Sequence, residues 1–324
     1  MIGDGEKALN FFNKEKENGV EGNRILHKVV EELSSRESYE SVMHRSNHDM
    51  PMPSVGGLGE IVDILRSVIF PGYFGPSELK TETLKYYVGS ALDQVFRKLT
   101  EQVMRGLCFE CYPLKCKSCR ECQHVSEEIT AKFIAKLPEI RYKLSTDVEA
   151  AYIGDPAAKS HGETIFCYPS IYALTNHRIA HELYKLEAPL IPRIISEMAH
   201  SKTGIDIHPG ASIGEYFFMD HGTGIVIGET SIIGKNVRIY QGVTLGAKSF
   251  PLDEHGNPIK GIPRHPIVED DVIIYSGASI LGRVTIGKGS MIGGNVWLTI
   301  SVPPGSRVIK QEFKEDYYEH GLGI

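Results

Sequence analysis

The sequence has no long hydrophobic run and no excess of basic residues, and no secretory signal is visible at its start; each of these absences argues against a class of protein. No stretch approaches the roughly 18 consecutive apolar residues of a membrane-spanning helix, so we expect no membrane span. A net charge of −6 argues against non-specific binding of nucleic acid, which requires a basic surface. The start, MIGDGEKALN, lacks a basic segment followed by an apolar one, which predicts a cytoplasmic protein without a secretory signal.

Cysteine is also scarce, and five of the six cysteines lie in one short segment. Cys108, Cys111, Cys116, Cys119 and Cys122 form the pattern C-x2-C-x4-C-x2-C-x2-C. In a reducing compartment such spacing favours a metal site over disulfides. Thiolates suit a structural zinc, which is the first expectation. The C-x2-C-x2-C part also occurs in iron–sulfur ligation, and reduced cysteines in a loop between two helices are the remaining possibility.

The first 200 residues have the periodicity of helices. Apolar residues recur at intervals of three and four in LGEIVDILRSVIF, TLKYYVGSALDQVFRKLTEQVMRGL and SIYALTNHRIAHELYKL. Helix ends are expected near Pro138 and Pro189, because proline interrupts the hydrogen bonds of a helix interior. Residues 1–200 therefore predict an all-helical N-terminal domain, with the cysteine-rich insert at 108–122.

From Ile207 onward aliphatic residues recur at every sixth position, a period that neither a helix nor an ordinary strand has. The positions are Ile227, Ile233, Ile239 and Leu245, then Val268, Ile274, Ile280, Ile286, Ile292 and Leu298. A hexapeptide repeat predicts a parallel β-helix, in which each hexad forms one short face and three faces close a coil. The predicted fold class is therefore α+β, with this solenoid at 201–303 and a tail at 304–324.

The six-residue period is broken at two places. The next aliphatic position comes eight residues after Met219 instead of six, and the extra residues fall on DHGTGI. The second break is the loop at 246–266, rich in proline, glycine and charge. Insertions into a solenoid form loops at its edge, where sites are commonly built. The first break therefore marks His221, whose imidazole suits a general base near neutral pH, together with the carboxylates of Asp220 and Asp206.

Four polar motifs accompany the repeat: IGDPAA, DIHP, MDHGTGIVIGET and PRHP occur in this order within residues 145–303. In this combination they resemble the serine O-acetyltransferases, a family of hexapeptide-repeat acyltransferases. Members of that family transfer acetyl from acetyl-CoA to the hydroxyl of L-serine, the first step of cysteine biosynthesis. The resemblance implies this activity, acetyl-CoA as co-substrate and a left-handed winding of the β-helix.

The resemblance also implies roles for individual residues. His221 is expected to be the general base that takes the proton of the serine hydroxyl, and Asp206 to orient its imidazole. Their separation of 15 residues is close to one coil of three hexads, which makes a contact between them geometrically reasonable. Asp155 and Asp220 are expected to hold the serine ammonium group.

Further site residues are implied in the same way. Arg264 and His265 are expected to meet the serine carboxylate, and a guanidinium suits a carboxylate because it donates two parallel hydrogen bonds. Glu229 is expected to support the catalytic pair. Backbone N–H groups at Gly246 and Ala247 are candidates for stabilising the thioester oxygen as charge builds on it. The family lays the pantetheine arm of CoA between adjacent subunits along small residues, here Ser276, Gly277 and Gly294.

The expected partners are other copies of the chain and one further enzyme. The resemblance implies a homotrimer or a dimer of trimers. In the family the tail commonly ends in isoleucine, which enters the active site of O-acetylserine sulfhydrylase. Ile324 is the last residue here, so this enzyme is the expected partner. The stretch SVPPGSRVIKQEF departs from the family's usual ending.

Other interpretations stay open beside this one. The same repeat would serve an acetyltransferase for another small hydroxyl compound, such as a sugar, but IGDPAA and PRHP favour an amino acid. A metal-dependent lyase resembling the γ-class carbonic anhydrases would need two zinc-binding histidines five residues apart, and no histidines are so spaced. A non-catalytic scaffold would not need Asp206 and His221.

Overall fold

A computed structural model describes residues 21–43, 50–76, 78–110 and 119–309. The chain forms two compact units, Met1–Ser46 and Asn47–Ile324. In the first unit, helix α1 (residues 21–34) is followed by the single turn α2 (Arg36–Tyr39). The side chains of α1 are exposed, including its aliphatic ones.

Helices make up the N-terminal part of the second unit, as the periodicity predicts. In the described residues they are α3 (Val55–Ile69), α4 (Thr81–Glu110), α5 (Cys119–Gly154), α6 (His161–Cys167), α7 (Pro169–Lys185) and α8 (Ile191–Thr203). Ser54 caps α3, because its Oγ accepts the N–H of Gly57 at 3.0 Å. Gly204 ends α8 with a φ of 69°, which glycine adopts without strain. No helix among the described residues is long and apolar enough to span a bilayer.

The helix end expected at Pro138 is wrong, whereas the one near Pro189 is confirmed. Pro138 lies inside α5, which continues to Gly154. A proline in a helix interior costs about 3 kcal/mol. On either side of it Leu137 and Ile140 are buried, and each buried aliphatic side chain contributes about 1.5–3 kcal/mol. Packing against α4 and α7 thus outweighs the local cost of the proline.

Short parallel strands follow α8. In the described residues they are β1 (Asp206–Ile207), β2 (Ser212–Ile213), β3 (Phe218–Asp220), β4 (Val226–Ile227), β5 (Ile232–Ile233), β6 (Arg238–Tyr240), β7 (Thr244–Gly246), β8 (Ile267–Val268), β9 (Ile273–Ile274), β10 (Ser279–Leu281), β11 (Thr285–Ile286), β12 (Met291–Ile292), β13 (Trp297–Leu298) and β14 (Arg307–Val308). The last strand lies beyond residue 303, where the sequence predicts the start of the tail.

The strands form three faces, because each strand up to β10 pairs with the third strand after it along the chain, and β12 pairs with β14. The first face is β1-β4-β7-β10-β13, the second β2-β5-β8-β11 and the third β3-β6-β9-β12-β14. Ile207, Ile227 and Leu245 are successive partners in the first face, and all three are buried. The parallel β-helix predicted from the hexad period is therefore confirmed. The turns that lead from the third face to the first face are called corner 3–1. The turns that lead from the first face to the second face are called corner 1–2.

A buried ion pair joins the helices to the first coil. Arg178 of α7 donates to both carboxylate oxygens of Asp147 in α5, at 2.6 and 2.8 Å. The same guanidinium donates to the carbonyl of Gly214 at 2.8 Å, and Asp147 accepts the N–H of Phe217 at 3.1 Å. The two side chains are 4% and 0% exposed. This arrangement satisfies two buried charges and fixes α5 and α7 against the solenoid.

We predict that Arg178→Met lowers the free energy of unfolding by about 3–5 kcal/mol, because it leaves the Asp147 carboxylate buried without its partner. Urea denaturation followed by circular dichroism measures the change. The matched control is Arg97→Met, which removes an exposed ion pair with Asp93 on α4 and should cost less than about 1 kcal/mol. Equal losses in the two variants would contradict the assigned role of the buried pair.

Candidate active site

Corner 3–1 of the first coil carries Asp220 and His221. β3 ends at Asp220, and His221 follows with a φ of 56°, a left-handed conformation that histidine tolerates better than most residues. The N–H of Gly222 donates to the carbonyl of Asp220 at 2.6 Å, which closes the turn. The His221 side chain is 72% exposed. The corner thus holds the backbone and leaves the imidazole accessible.

Two predicted carboxylates accompany this imidazole. Asp220 Oδ1 lies 3.8 Å from His221 Nδ1. Asp155 follows α5 and accepts the Tyr168 hydroxyl at 2.5 Å and the N–H of Ala157 at 2.8 Å. These bonds, with a smaller contribution from His221, lower the pKa of Asp155 below its usual value. Asp155 is therefore ionised at neutral pH, and the surroundings of the imidazole favour a cationic group.

Asp206 is the first residue of β1, which lies in the first face next to corner 3–1. Its N–H donates to the carbonyl of Ile225 at 2.9 Å, as part of the pairing with β4. Its carboxylate lies within 4.8 Å of ligand atoms of Glu197 and His200 at the end of α8. Within the described residues, no hydrogen bond or ion pair joins Asp206 to His221, so their pairing stays a prediction.

Corner 1–2 carries Arg264 and His265, the pair predicted to meet the substrate carboxylate, together with Glu229. Arg264 Nη2 lies 2.7 Å from Glu229 Oε2, and the Tyr184 hydroxyl donates to the second oxygen of that carboxylate at 3.3 Å. Burial acts to raise the pKa of Glu229, but the hydrogen bond from Arg264, followed by electrostatic interactions with His208 and with the Arg264 guanidinium, keeps it below its usual value. The guanidinium is only 23% exposed and is held by a carboxylate of the protein. A substrate carboxylate binding to Arg264 would approach beside Glu229.

His265 beside it is a neutral ring. It is 7% exposed, and its Nδ1 accepts the N–H of Thr230 at 3.0 Å. Burial, followed by the charge of Arg264, lowers the pKa of His265 to about 4. The ring packs on Gly228, where an added Cβ would lie 2.0 Å from its Cδ2. His265 therefore offers an Nε2–H donor from a fixed position and carries no charge at neutral pH.

The small residues expected along CoA lie in one column on corner 3–1, C-terminal to His221. Gly277 has a φ of 68°, and an added Cβ there would lie 2.3 Å from Asn295 Oδ1. An added Cβ at Gly294 would lie 3.3 Å from the carbonyl oxygen of Ser276. A side chain at Gly277 would strain the backbone and displace Asn295, so glycine is favoured there and the column presents accessible backbone.

The predicted site residues form two groups on different corners of one chain. Asp220 and His221 lie on corner 3–1 with the small-residue column, and Asp155, which follows α5, lies close enough to His221 for its pKa to be lowered by it. The residues on corner 1–2 are Glu229, Arg264, His265 and, where β7 enters the loop, Gly246 and Ala247. The first face of the solenoid separates the two groups. The fold of a single chain does not bring them together.

Two site residues escaped the sequence reasoning. Tyr168, at the start of α7, lies outside the repeat, and no pattern in the sequence connects it with Asp155. Thr230 lies in the motif GET, and its position next to Glu229 is the signal that could have found it. Its hydroxyl accepts the N–H groups of Arg264 and His265 at 2.9 and 3.1 Å.

The cysteine-rich segment is only partly described. Cys108 near the end of α4 and Cys122 in the first turn of α5 are buried. Cys119 is the first residue of α5, and Cys111 and Cys116 lie outside the described residues. Burial of two thiol side chains at the adjoining ends of two packed helices is compatible with a structural metal site there.

Comparison with known proteins identifies the family. Residues 265–299 match the family model "Bacterial transferase hexapeptide (six repeats)". A Synechococcus elongatus protein named "Serine acetyltransferase, plasmid" is 54% identical over 282 residues, 86% of this chain and 88% of that one. The serine acetyltransferase of Bacillus licheniformis is 47% identical over 166 residues, 51% of this chain and 73% of that one.

The fold gives the same result. The crystal structure of Entamoeba histolytica serine acetyltransferase isoform 3, in complex with cysteine, superposes with a TM-score of 0.68 at 33% identity. The match covers 88% of this chain and 92% of that one, so it includes helices as well as solenoid. Over most of its length, in sequence and in fold, the chain belongs to the serine acetyltransferase family.

Proposed function

We propose that the protein transfers the acetyl group of acetyl-CoA to the hydroxyl of L-serine, and the observation that carries the proposal is the charge at the two corners. Corner 3–1 offers the carboxylates of Asp155 and Asp220 beside an accessible imidazole. Corner 1–2 offers the Arg264 guanidinium and the neutral ring of His265. The ammonium group of an amino acid would match the carboxylates at corner 3–1, and its carboxylate would match Arg264 and His265 at corner 1–2. A sugar acceptor would leave both unmatched.

In the proposed mechanism the acetyl group passes directly between the substrates. His221 takes the proton of the serine hydroxyl, and the hydroxyl oxygen attacks the thioester carbonyl. N–H groups at Gly246 and Ala247 stabilise the negative charge on the carbonyl oxygen. The tetrahedral intermediate then expels the CoA thiolate, which takes the proton from His221. Asp206 orients the imidazole, and the product, O-acetyl-L-serine, enters cysteine biosynthesis.

The separation of the two groups supports a homotrimer. A complete site needs corner 3–1 of one subunit beside corner 1–2 of its neighbour, since no single chain has both on one corner. A contact between two different patches closes into a ring when the rotation is right, and a three-sided solenoid suits threefold symmetry. The same contact would place the column with Ser276, Gly277 and Gly294 in a cleft that the pantetheine arm of CoA can fill. Assembly into a dimer of trimers stays a prediction.

Three finer proposals rest on the sequence. We propose a structural zinc at the cysteines of α4, α5 and their connection, for which buried Cys108 and Cys122 supply suitable donors. We propose that Ile324 binds O-acetylserine sulfhydrylase, although this residue lies outside the described range. Cytoplasmic location is expected because the reaction draws on acetyl-CoA and serine of the cell interior.

The function is tested by measuring thiol release from acetyl-CoA with L-serine, D-serine and a panel of sugars. L-serine should be the best acceptor, and His221→Ala should lower kcat by about 10²–10⁴-fold, because a general base is lost. Asp206→Asn should also lower kcat substantially. The control His255→Ala, an exposed residue of the 246–266 loop, should retain full activity. Preference for a sugar, or near-normal kcat without His221, would overturn the proposal.

A second prediction concerns substrate affinity. Arg264→Ala should raise the KM for serine far more than the KM for acetyl-CoA, since only the amino acid carries a carboxylate at this position. The inhibition constant of cysteine, which presents the same ammonium and carboxylate, should rise in parallel. Steady-state kinetics with each substrate varied in turn provide the measurement. Equal effects on both substrates would place Arg264 outside the amino-acid site.

A third prediction concerns the shared site. Co-expressed His221→Ala and Arg264→Ala subunits, assayed at low serine, should regain activity that neither variant has alone. With random mixing in a trimer, about one quarter of the sites receive both native residues. Mixing the two purified proteins without subunit exchange is the control. No recovery in verified mixed trimers would show that each chain holds a complete site.

A further inference from the structure

The segment that carries Arg264 and His265 has little secondary structure of its own. It ends the loop at 246–266, whose residues are mostly exposed, and β8 begins only at Ile267. A loop of this length would sample many conformations if nothing held its end. Two side chains from neighbouring turns of corner 1–2 hold it, Thr230 and Arg283.

Thr230 holds the segment from the preceding coil. Its Oγ1 accepts the backbone N–H of Arg264 at 2.9 Å and that of His265 at 3.1 Å. Its own N–H donates to His265 Nδ1 at 3.0 Å, which places the ring proton on Nε2. One residue thus fixes the backbone of the pair and the tautomer of its histidine.

Arg283 holds the segment from the following coil. It lies between β10 and β11, and its Nη1 donates to the carbonyl of His265 at 2.9 Å and to that of Thr230 at 2.6 Å. One guanidinium nitrogen therefore bridges the two turns that carry Glu229 and His265. Hydrogen bonds from a charged donor are stronger than neutral ones, so Arg283 holds the two carbonyl groups more strongly than a neutral side chain would.

We propose that Thr230 and Arg283 form a clamp that positions Arg264 and His265 for the carboxylate of the amino-acid substrate. The inference rests on the proposed function and extends it to two positioning residues. Neither residue is assigned a contact with the reacting atoms. Because the clamp is formed before substrate arrives, the cost of ordering the segment does not reduce the affinity for serine or cysteine. Arg264 and His265 are assigned to the carboxylate of the amino acid and not to acetyl-CoA. The clamp should therefore leave the affinity for acetyl-CoA unchanged.

A different role for Arg283 gives a different result. Its other guanidinium N–H groups could meet a phosphate of CoA, which is also an anion. In that case the loss of Arg283 would raise the KM for acetyl-CoA, whereas Thr230→Val would not. The clamp requires both residues to affect the same substrate, serine.

The test uses two pairs of variants in the full-length enzyme. Thr230→Val keeps the shape of the side chain and removes its hydroxyl, whereas Thr230→Ser retains the hydroxyl. Arg283→Met removes the donor, and Arg283→Lys keeps a cation that can reach the same carbonyls. Thr230→Val and Arg283→Met should each raise the KM for serine about tenfold, since each variant loses hydrogen bonds to two backbone groups. Thr230→Ser and Arg283→Lys should recover most of the affinity for the substrate serine, and the KM for acetyl-CoA should change less than about twofold in all four variants.

Two further measurements separate the clamp from general damage. Isothermal titration calorimetry with cysteine, without acetyl-CoA, should show that Thr230→Val and Arg283→Met weaken cysteine binding by the same factor as they raise the KM for serine. Thermal unfolding should show folded protein in all four. An equal rise in both KM values, a rise for acetyl-CoA alone, or unchanged serine affinity would overturn the clamp. Wild-type enzyme that does not acetylate serine would instead overturn the proposed function itself.

Discussion

The stacking of inward aliphatic side chains from one coil to the next is the interaction on which the rest of the structure depends. Each strand has only two or three residues, so no face could be stable alone. The parallel register places Ile227 beside Ile207 and Leu245, and all three are buried. A shift by one residue would turn these side chains outward, and so the register is strongly fixed. The corners between the faces inherit this rigidity.

Rigid corners explain why the chemistry lies where the repeat is interrupted. The extra residues after Met219 change only the corner, and they leave His221 accessible on a fixed backbone. The long loop leaves the same register at β7 and rejoins it at β8. A solenoid can accept such insertions because each face continues to pair above and below them. Catalytic and binding groups are thus added to the fold without a change in its core.

The helices contribute to the same site through one buried contact. Asp147 and Arg178 fasten α5 and α7 to carbonyl and N–H groups of the first coil. α5 ends immediately before Asp155, and α7 begins immediately after Tyr168, which donates to that carboxylate. The position of a residue expected to bind the substrate ammonium is therefore set by a pair of charges in the interior. Folding of the helical part and assembly of the site are coupled in this way.

The sequence by itself determined the solenoid, because a six-residue period admits few other structures, and it identified the two interruptions that carry polar residues. It also marked His221, Arg264 and His265 as residues of interest. It could not place them in space: the assignment to two corners follows from which strands pair, a property of the closed coil. The neutral state of His265 likewise depends on burial beneath residues distant in sequence.

Tertiary structure also overruled local preference. Pro138 was expected to end a helix because its ring removes a backbone hydrogen bond, but buried neighbours on both sides stabilise α5 through it. Glu229 meets Arg264 because β4 and β7 pair in the first face, which places the turns that follow them side by side. Local sequence thus determined the type of each element and the candidate groups. Long-range packing decided which groups meet, because burial and charge depend on neighbours that are remote along the chain.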